Sequence, residues 1–268
     1  MSNEKIGLVK EYLFEEFCLQ QFQPRTSWGV KVPITESLSF SATSLKKPLT
    51  KLEPRLKKTA VQAFKSTHYA DITSYMKARN TSRNSLHHVF KVLKAGVDNT
   101  IELRDEIYCQ LIKQTNNNPS PSALKAWKLF GICTGVFAPS LKLRMPLLNH
   151  LVTIVENEEE AIAQRARYCA NRIEKHFLNE VRLVLPEVQE IKHIRRMKPM
   201  PVPVYLLTGA RMVVYVESYD TVYMVTRKLL QKIKMPIHKM PQFGLYEACQ
   251  TTHSFGKESR RGKVCVGL

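Results

Sequence analysis

LRDEIYCQLIKQT, from Leu103 to Thr115, packs an acid pair, a tyrosine, a cysteine and two glutamines into thirteen residues. Its apolar period decides between an active site and a buried strut. Leu103, Ile107 and Leu111 recur at i, i+4 and i+8, which places them on one face of a helix directed into a core. Neighbouring helical side chains diverge by about 100°, so Asp105 and Glu106 cannot face one substrate as paired carboxylates. Both acids lie in the early turns, where the helix dipole favours negative charge. Cys109 has no histidine nearby in sequence, and Tyr108, Leu111 and Ile112 imply burial rather than nucleophilic chemistry. The stretch reads as a strut.

Outward from it, Asn99 with Glu102 three residues on resembles a capping box, and Asn116-Asn117-Asn118-Pro119 closes the helix. Ser120-Pro121 opens a helix to about Cys133, and Pro139-Ser140 opens one through Val155. The next, from about Glu158 to Asn179, carries Ile162, Ala166, Cys169, Ile173 and Phe177 as a stripe. Upstream, residues 4–22 place Leu8, Tyr12, Phe14 and Phe17 near helical spacing. A loop rich in Ser, Thr and Pro follows, then an amphipathic helix from Leu52 to Met76 and a further one from Ser85 to Lys94. Residues 4–185 are thus expected to form an all-helical, bundle-like domain.

The pattern changes after Leu185. Residues 186–201 read as a basic linker. PVYLLTG and ARMVVYVES form a hairpin around a Thr-Gly turn. Tyr219-Asp220 caps a helix with Val222, Val225, Leu229 and Ile233 on one face, and PQFGLYEAC reads as a third strand. Residues 202–250 are therefore expected to be a partial ubiquitin-like lobe, with 251–268 a disordered tail. The fold class is mainly α, with a partial α+β lobe.

The chain has 41 Lys and Arg against 23 Asp and Glu, a net charge of +18 in 268 residues. Residues 44–100 hold 12 basic and 3 acidic side chains, or +9, whereas 101–185 hold 11 against 9, or +2. Lys46, Lys47, Lys51, Arg55, Lys57 and Lys58 fall within thirteen residues, with Lys65 beyond them. Lys192, Arg195, Arg196 and Lys198 form a second cluster. Such a surface attracts polyanions; without interleaved aromatic residues, nucleic acid ranks behind an acidic protein polymer. An acidic membrane face is a further candidate. The six cysteines form no C-x-x-C pair, His87-His88 has no partners at metal spacing, and no phosphate loop, dinucleotide turn or nucleophile elbow occurs. No catalytic constellation, metal site or cofactor site is expected. No run approaches the roughly 20 apolar residues of a membrane span.

LRDEIYCQLIKQT with Asn118-Pro119 resembles the signature of the myosin tail homology 4 domain. Trp127, Leu129, Cys133, Gly135, Phe137, Pro139 and Ser140 continue the resemblance, and Leu49, Leu52, Ala60, Phe64 and Tyr75-Met76 match its opening. Ala126 stands where the family often has Gly, and Lys77-Ala78 where it often has Gly-Asp. VYLLTG, TVYMVTRKLLQKIKM and FGLYEAC are similar to the first lobe of a FERM domain, which needs more strand after Cys249. The resemblance implies a non-catalytic cytoplasmic, cytoskeleton-associated motor-tail module. It would bind cargo or adaptor proteins and, through a basic surface of the helical domain, microtubules.

Overall fold

The computed structural model describes residues 13–27, 29–42, 45, 47–52, 69–76, 82–98, 100–118, 122–177, 182, 184–254 and 257–267. The chain divides into two compact units, Met1–Met197 and Lys198–Leu268.

The first unit is helical. Its described elements are α1 (Phe14–Gln21), the two-residue strands β1 (Thr26–Ser27) and β2 (Val30–Lys31), and α2 (Ile34–Ser37). Then come α3 (Tyr69–Tyr75), α4 (Ser85–Asp98), α5 (Ile101–Thr115), α6 (Ser122–Cys133), α7 (Leu141–Asn157), α8 (Glu160–Phe177) and α9 (Val188–Arg195). The opening stretch is α5, and Leu103, Ile107 and Leu111 are 3%, 0% and 0% exposed, as their spacing predicts. Thr100 occupies the N-cap position without a side-chain cap; Asn99 lies outside the described residues. The α8 stripe also enters the core through Ala166, Cys169 and Ile173, while the side chain of Phe177 lies outside the described residues.

The core centres on aromatic residues of α5, α6 and the turn after α6. Trp127 and Phe130 stack with ring centroids 5.5 Å apart. The ring of Tyr108 stands edge-on to Phe137 at 5.6 Å, and its hydroxyl donates to the Phe137 carbonyl at 2.6 Å. Phe137 in turn lies so close to α4 that a Cβ on Gly96 would come within 2.2 Å of its ring. Glycine at this point sets the distance between α4 and the core. Four cysteines, Cys18, Cys109, Cys133 and Cys169, are buried free thiols, and burial raises each thiol above its ordinary pKa.

Residues 186–201, read as a linker, contain α9. Its Ile191 and Ile194 are 0% and 4% exposed and belong to the helical core. Two isoleucines three apart suffice to dock one short helix, and the surrounding charges conceal that pattern in the sequence.

The second unit holds β3 (Met200–Leu206), β4 (Arg211–Val216), α10 (Val222–Lys232), a 3-10 turn (Ile237–Gln242), β5 (Gly244–Ser254) and β6 (Lys257–Gly267). Gly209, at φ +83°, turns the β3–β4 hairpin. The cap of α10 is Thr221, whose hydroxyl accepts from the Met224 amide at 3.3 Å; Asp220 instead accepts from the Glu217 amide at 2.7 Å. Val222, expected on the inner face, is 66% exposed, and burial falls on Thr226, Leu229 and Leu230.

Where a disordered tail is expected, over 251–268, the structure has the end of β5 and the whole of β6. β6 runs antiparallel to β5 along its full length and parallel to β3 through Val204–Val264, Tyr205–Cys265 and Leu206–Val266. The sheet order is β4-β3-β6-β5, so β6 provides the further strand that the lobe needs after Cys249. Only KVCV carries a strand-like pattern in this stretch. The rest is extended through backbone pairing with β5, which leaves little mark on composition.

Candidate interaction surface

Eleven residues of α5 are buried, and five of them, Glu106, Gln110, Lys113, Gln114 and Thr115, are polar or charged. Buried polar groups must be paired. Here most of the partners are backbone groups of the segment preceding α3. Both carboxylate oxygens of Glu106 accept from backbone amides, Leu49 at 2.9 Å and Thr50 at 2.8 Å. The Thr50 hydroxyl donates to it at 2.6 Å and the Gln110 amide at 2.7 Å. Burial still raises the Glu106 pKa, against the opposing pull of these bonds.

The other end of α5 holds the start of the same segment. Lys113 Nζ donates to the carbonyls of Ser37, at 2.9 Å, and Ser39; burial lowers its pKa to about 8. Gln114 donates to the Ser41 carbonyl at 3.1 Å. Asp105, on a different side, accepts from the Ser140 amide at 2.8 Å, and burial raises its carboxyl to about 6. The acid pair therefore organises loops, each acid a different one.

The segment fastened by α5 carries part of the first basic cluster. Lys47 and Lys51 are exposed, and Lys51 Nζ donates to the Gln20 carbonyl at 2.8 Å. Lys46, Arg55, Lys57, Lys58 and Lys65 lie outside the described residues.

The second cluster divides. Lys192 and Arg196 are exposed and Arg195 is half-buried on or beside α9, whereas Lys198 belongs to the second unit. Arg195 joins residues that no sequence window connects to it. Its guanidinium lies over the Tyr75 ring of α3, 5.4 Å from the centroid, and its Nε and Nη2 have no hydrogen-bond partner among the described residues. Lys128 of α6 lies in the combined field of Arg165 from α8, Arg195, and Lys125 one turn away. Burial and these three charges together lower its pKa. Burial raises the Tyr75 phenol, and Arg195 and Arg165 oppose that shift. Among the described residues no ion pair with an acid involves Lys125, Lys128, Arg165 or Arg195. Helices α6, α8 and α9 thus assemble an uncompensated basic face from residues up to seventy positions apart.

Residues 89–193 match the MyTH4 domain model. The chain carries a MyTH4 domain. Myosin-VIIa of Drosophila melanogaster is 32% identical over 175 residues, covering 64% of this chain and 7% of that protein. Unconventional myosin-VIIb of Mus musculus is 32% identical over 131 residues, 48% of this chain and 6% of that protein. This chain therefore corresponds to a small part of those myosins.

Among solved structures, a mutant of the MyTH4-FERM MF1 domain of Dictyostelium discoideum myosin VII superposes with a TM-score of 0.79 at 19% identity, covering 97% of this chain and 57% of that one. The human Myosin 7b C-terminal MyTH4-FERM domain, in complex with a harmonin-a PDZ3 domain, gives 0.68 at 17%, with 99% and 57% covered. The fold is MyTH4 followed by the opening lobe of a FERM domain. MyTH4-FERM tail domains of myosins are non-catalytic interaction modules. Among the described residues of this one, no group of His, Cys, Asp and Glu could hold a metal ion, and no helix is long and apolar enough to cross a membrane.

Proposed function

We propose that this MyTH4 module docks onto an acidic cytoskeletal protein surface, with the microtubule as the partner, through its basic faces. The observation that carries the reading is the group of Lys125, Lys128, Arg165 and Arg195, unpaired with any acid among the described residues. The exposed Lys47 and Lys51, within the lysine-rich run from Lys46 to Lys65 in the sequence, supply the second set of charges, beside the segment that Glu106 holds. Each charge contributes little in salt water, so binding is steered by the summed field and declines with ionic strength. A cytoplasmic, cytoskeleton-associated location follows from that partner.

A second reading, binding of a cargo or adaptor protein, is favoured by the human Myosin 7b neighbour and its PDZ-domain partner. Acidic membranes and nucleic acid would compete for the same charges. Microtubule co-sedimentation across a salt series tests the main reading, comparing the wild type with Lys125→Glu/Lys128→Glu and with Lys46, Lys47, Lys57 and Lys58 changed to Glu. Each set is expected to weaken binding roughly tenfold at low salt. Binding unaltered by both sets sinks the reading, as does a much stronger preference for duplex DNA or anionic vesicles at equal salt.

A further inference from the structure

The first unit contains a cleft of opposite electrostatic character to the basic face. Its volume is 480 Å³, within the range of ligand pockets, and it lies where the start of α1, α2, the turn after α5 and the end of α7 meet. Phe14, Leu38 and Ile154 supply apolar wall, and Glu15 and Glu158 supply carboxylates. No lysine or arginine lines it among the described residues, although the chain as a whole carries +18. Neither carboxylate has an ion-pair partner among the described residues.

His150 also lines the cleft. Its ring lies 5.1 Å from that of Phe14, and its Nε2 is buried without a hydrogen-bond partner among the described residues. Burial lowers its pKa to about 4, so at neutral pH the imidazole is uncharged. One of its nitrogens is then a hydrogen-bond acceptor. At the lip, Leu13 is 54% exposed and adds an apolar step beside the acids.

We infer that this cleft binds a partner-protein segment presenting an arginine or lysine side chain next to an apolar one. The aliphatic stem lies along Phe14 and Ile154, as long cationic side chains do on apolar surface. The head group gives its N–H donors to Glu15, Glu158 and the neutral imidazole. The adjacent apolar residue rests on Leu13. A protein segment combines both features in one ligand, whereas a free amine or guanidine offers only the head. This partner chemistry is the reverse of the acidic one argued for the basic face, so two partners of opposite charge can be engaged by one helical unit.

The test is titration of the ¹⁵N-labelled chain with acetyl-Leu-Arg-amide, acetyl-Leu-citrulline-amide and acetyl-Arg-amide, read as amide shifts by NMR. Acetyl-Leu-Arg-amide should perturb Leu13, Glu15, Asn117, Thr153 and Glu158 in a saturable way. The neutral citrulline peptide and the leucine-free arginine should each bind at least tenfold more weakly. Both Glu15 and Glu158 are exposed, so Glu15→Gln/Glu158→Gln should fold normally, lose at least tenfold in peptide affinity and leave microtubule co-sedimentation unchanged. Three outcomes overturn the proposal. They are equal binding of the arginine and citrulline peptides, perturbation confined to other surfaces, and dimerisation without peptide that is abolished by the double variant, which would make a second copy the occupant.

Discussion

Replacing Glu106 by alanine tests whether α5 organises the segment before α3. In the wild type one buried carboxylate accepts four hydrogen bonds, from the amides of Leu49 and Thr50, the Thr50 hydroxyl and the Gln110 side chain. The hydroxyl can rotate towards another acceptor. The two amides cannot, because Leu49 and Thr50 are 1% and 6% exposed. A buried donor left without a partner costs about 1–3 kcal/mol, so the two amides cost ~2–6 kcal/mol. Removing a desolvated carboxylate returns part of this, as the raised pKa of Glu106 indicates. A net loss of about 3 kcal/mol is expected, equivalent to roughly 6–12 °C in Tm for a unit of this size. The assay is thermal denaturation at pH 7 with native-state hydrogen exchange. The Leu49 and Thr50 amides should lose protection well beyond that explained by global destabilisation. Glu106→Gln, which keeps one acceptor oxygen, should fall between the two. A Tm within about 2 °C of wild type and unchanged exchange at Leu49 and Thr50 would refute the assignment.

Two further perturbations probe the core and its charges. Asp105 has a folded pKa of about 6, raised from its ordinary value near 4, so between those pH values the folded state binds the extra proton and stability falls as pH rises. Relative to Asp105→Asn, the wild type should therefore gain about 2 kcal/mol as pH is lowered from 7 to 4, measured by urea unfolding; a difference independent of pH would contradict this. Gly96→Ala puts a methyl group 2.2 Å from the Phe137 ring and should cost about 1–3 kcal/mol by overpacking, visible as a lowered urea midpoint, whereas a neutral result would mean that α4 can move away freely.

The apolar period made most of the helices legible. Ile107, Ala166 and Ile173 sit where their spacing places them because core burial at helical intervals is a local signal. What was hidden depends on distant partners. Glu106 looks like an ordinary helical acid until the backbone of Leu49, 57 residues earlier, is folded against it. Ile191 and Ile194 form too brief an apolar pair to stand out among the charges of α9. Of the charges proposed to bind, sequence windows single out the runs of lysines and Arg195, but not Lys125, Lys128 or Arg165. Those three come from two helices and meet Arg195 only when α6, α8 and α9 pack, so the one signal they leave is the net positive charge of the chain.

The position of β6 between β3 and β5 bears on the order of events during synthesis. By Met197 the described elements of the helical unit have all been made, and its most extensively packed pair, α7 and α8, is consecutive in the chain. The second unit differs, because β3 must wait some sixty residues for its parallel partner at Val264–Val266. Such non-local pairing is slow to form, since loop closure precedes its reward. On the ribosome the MyTH4 unit can therefore consolidate while the β3–β4 hairpin still has an open edge, an interval in which that edge is available to another strand.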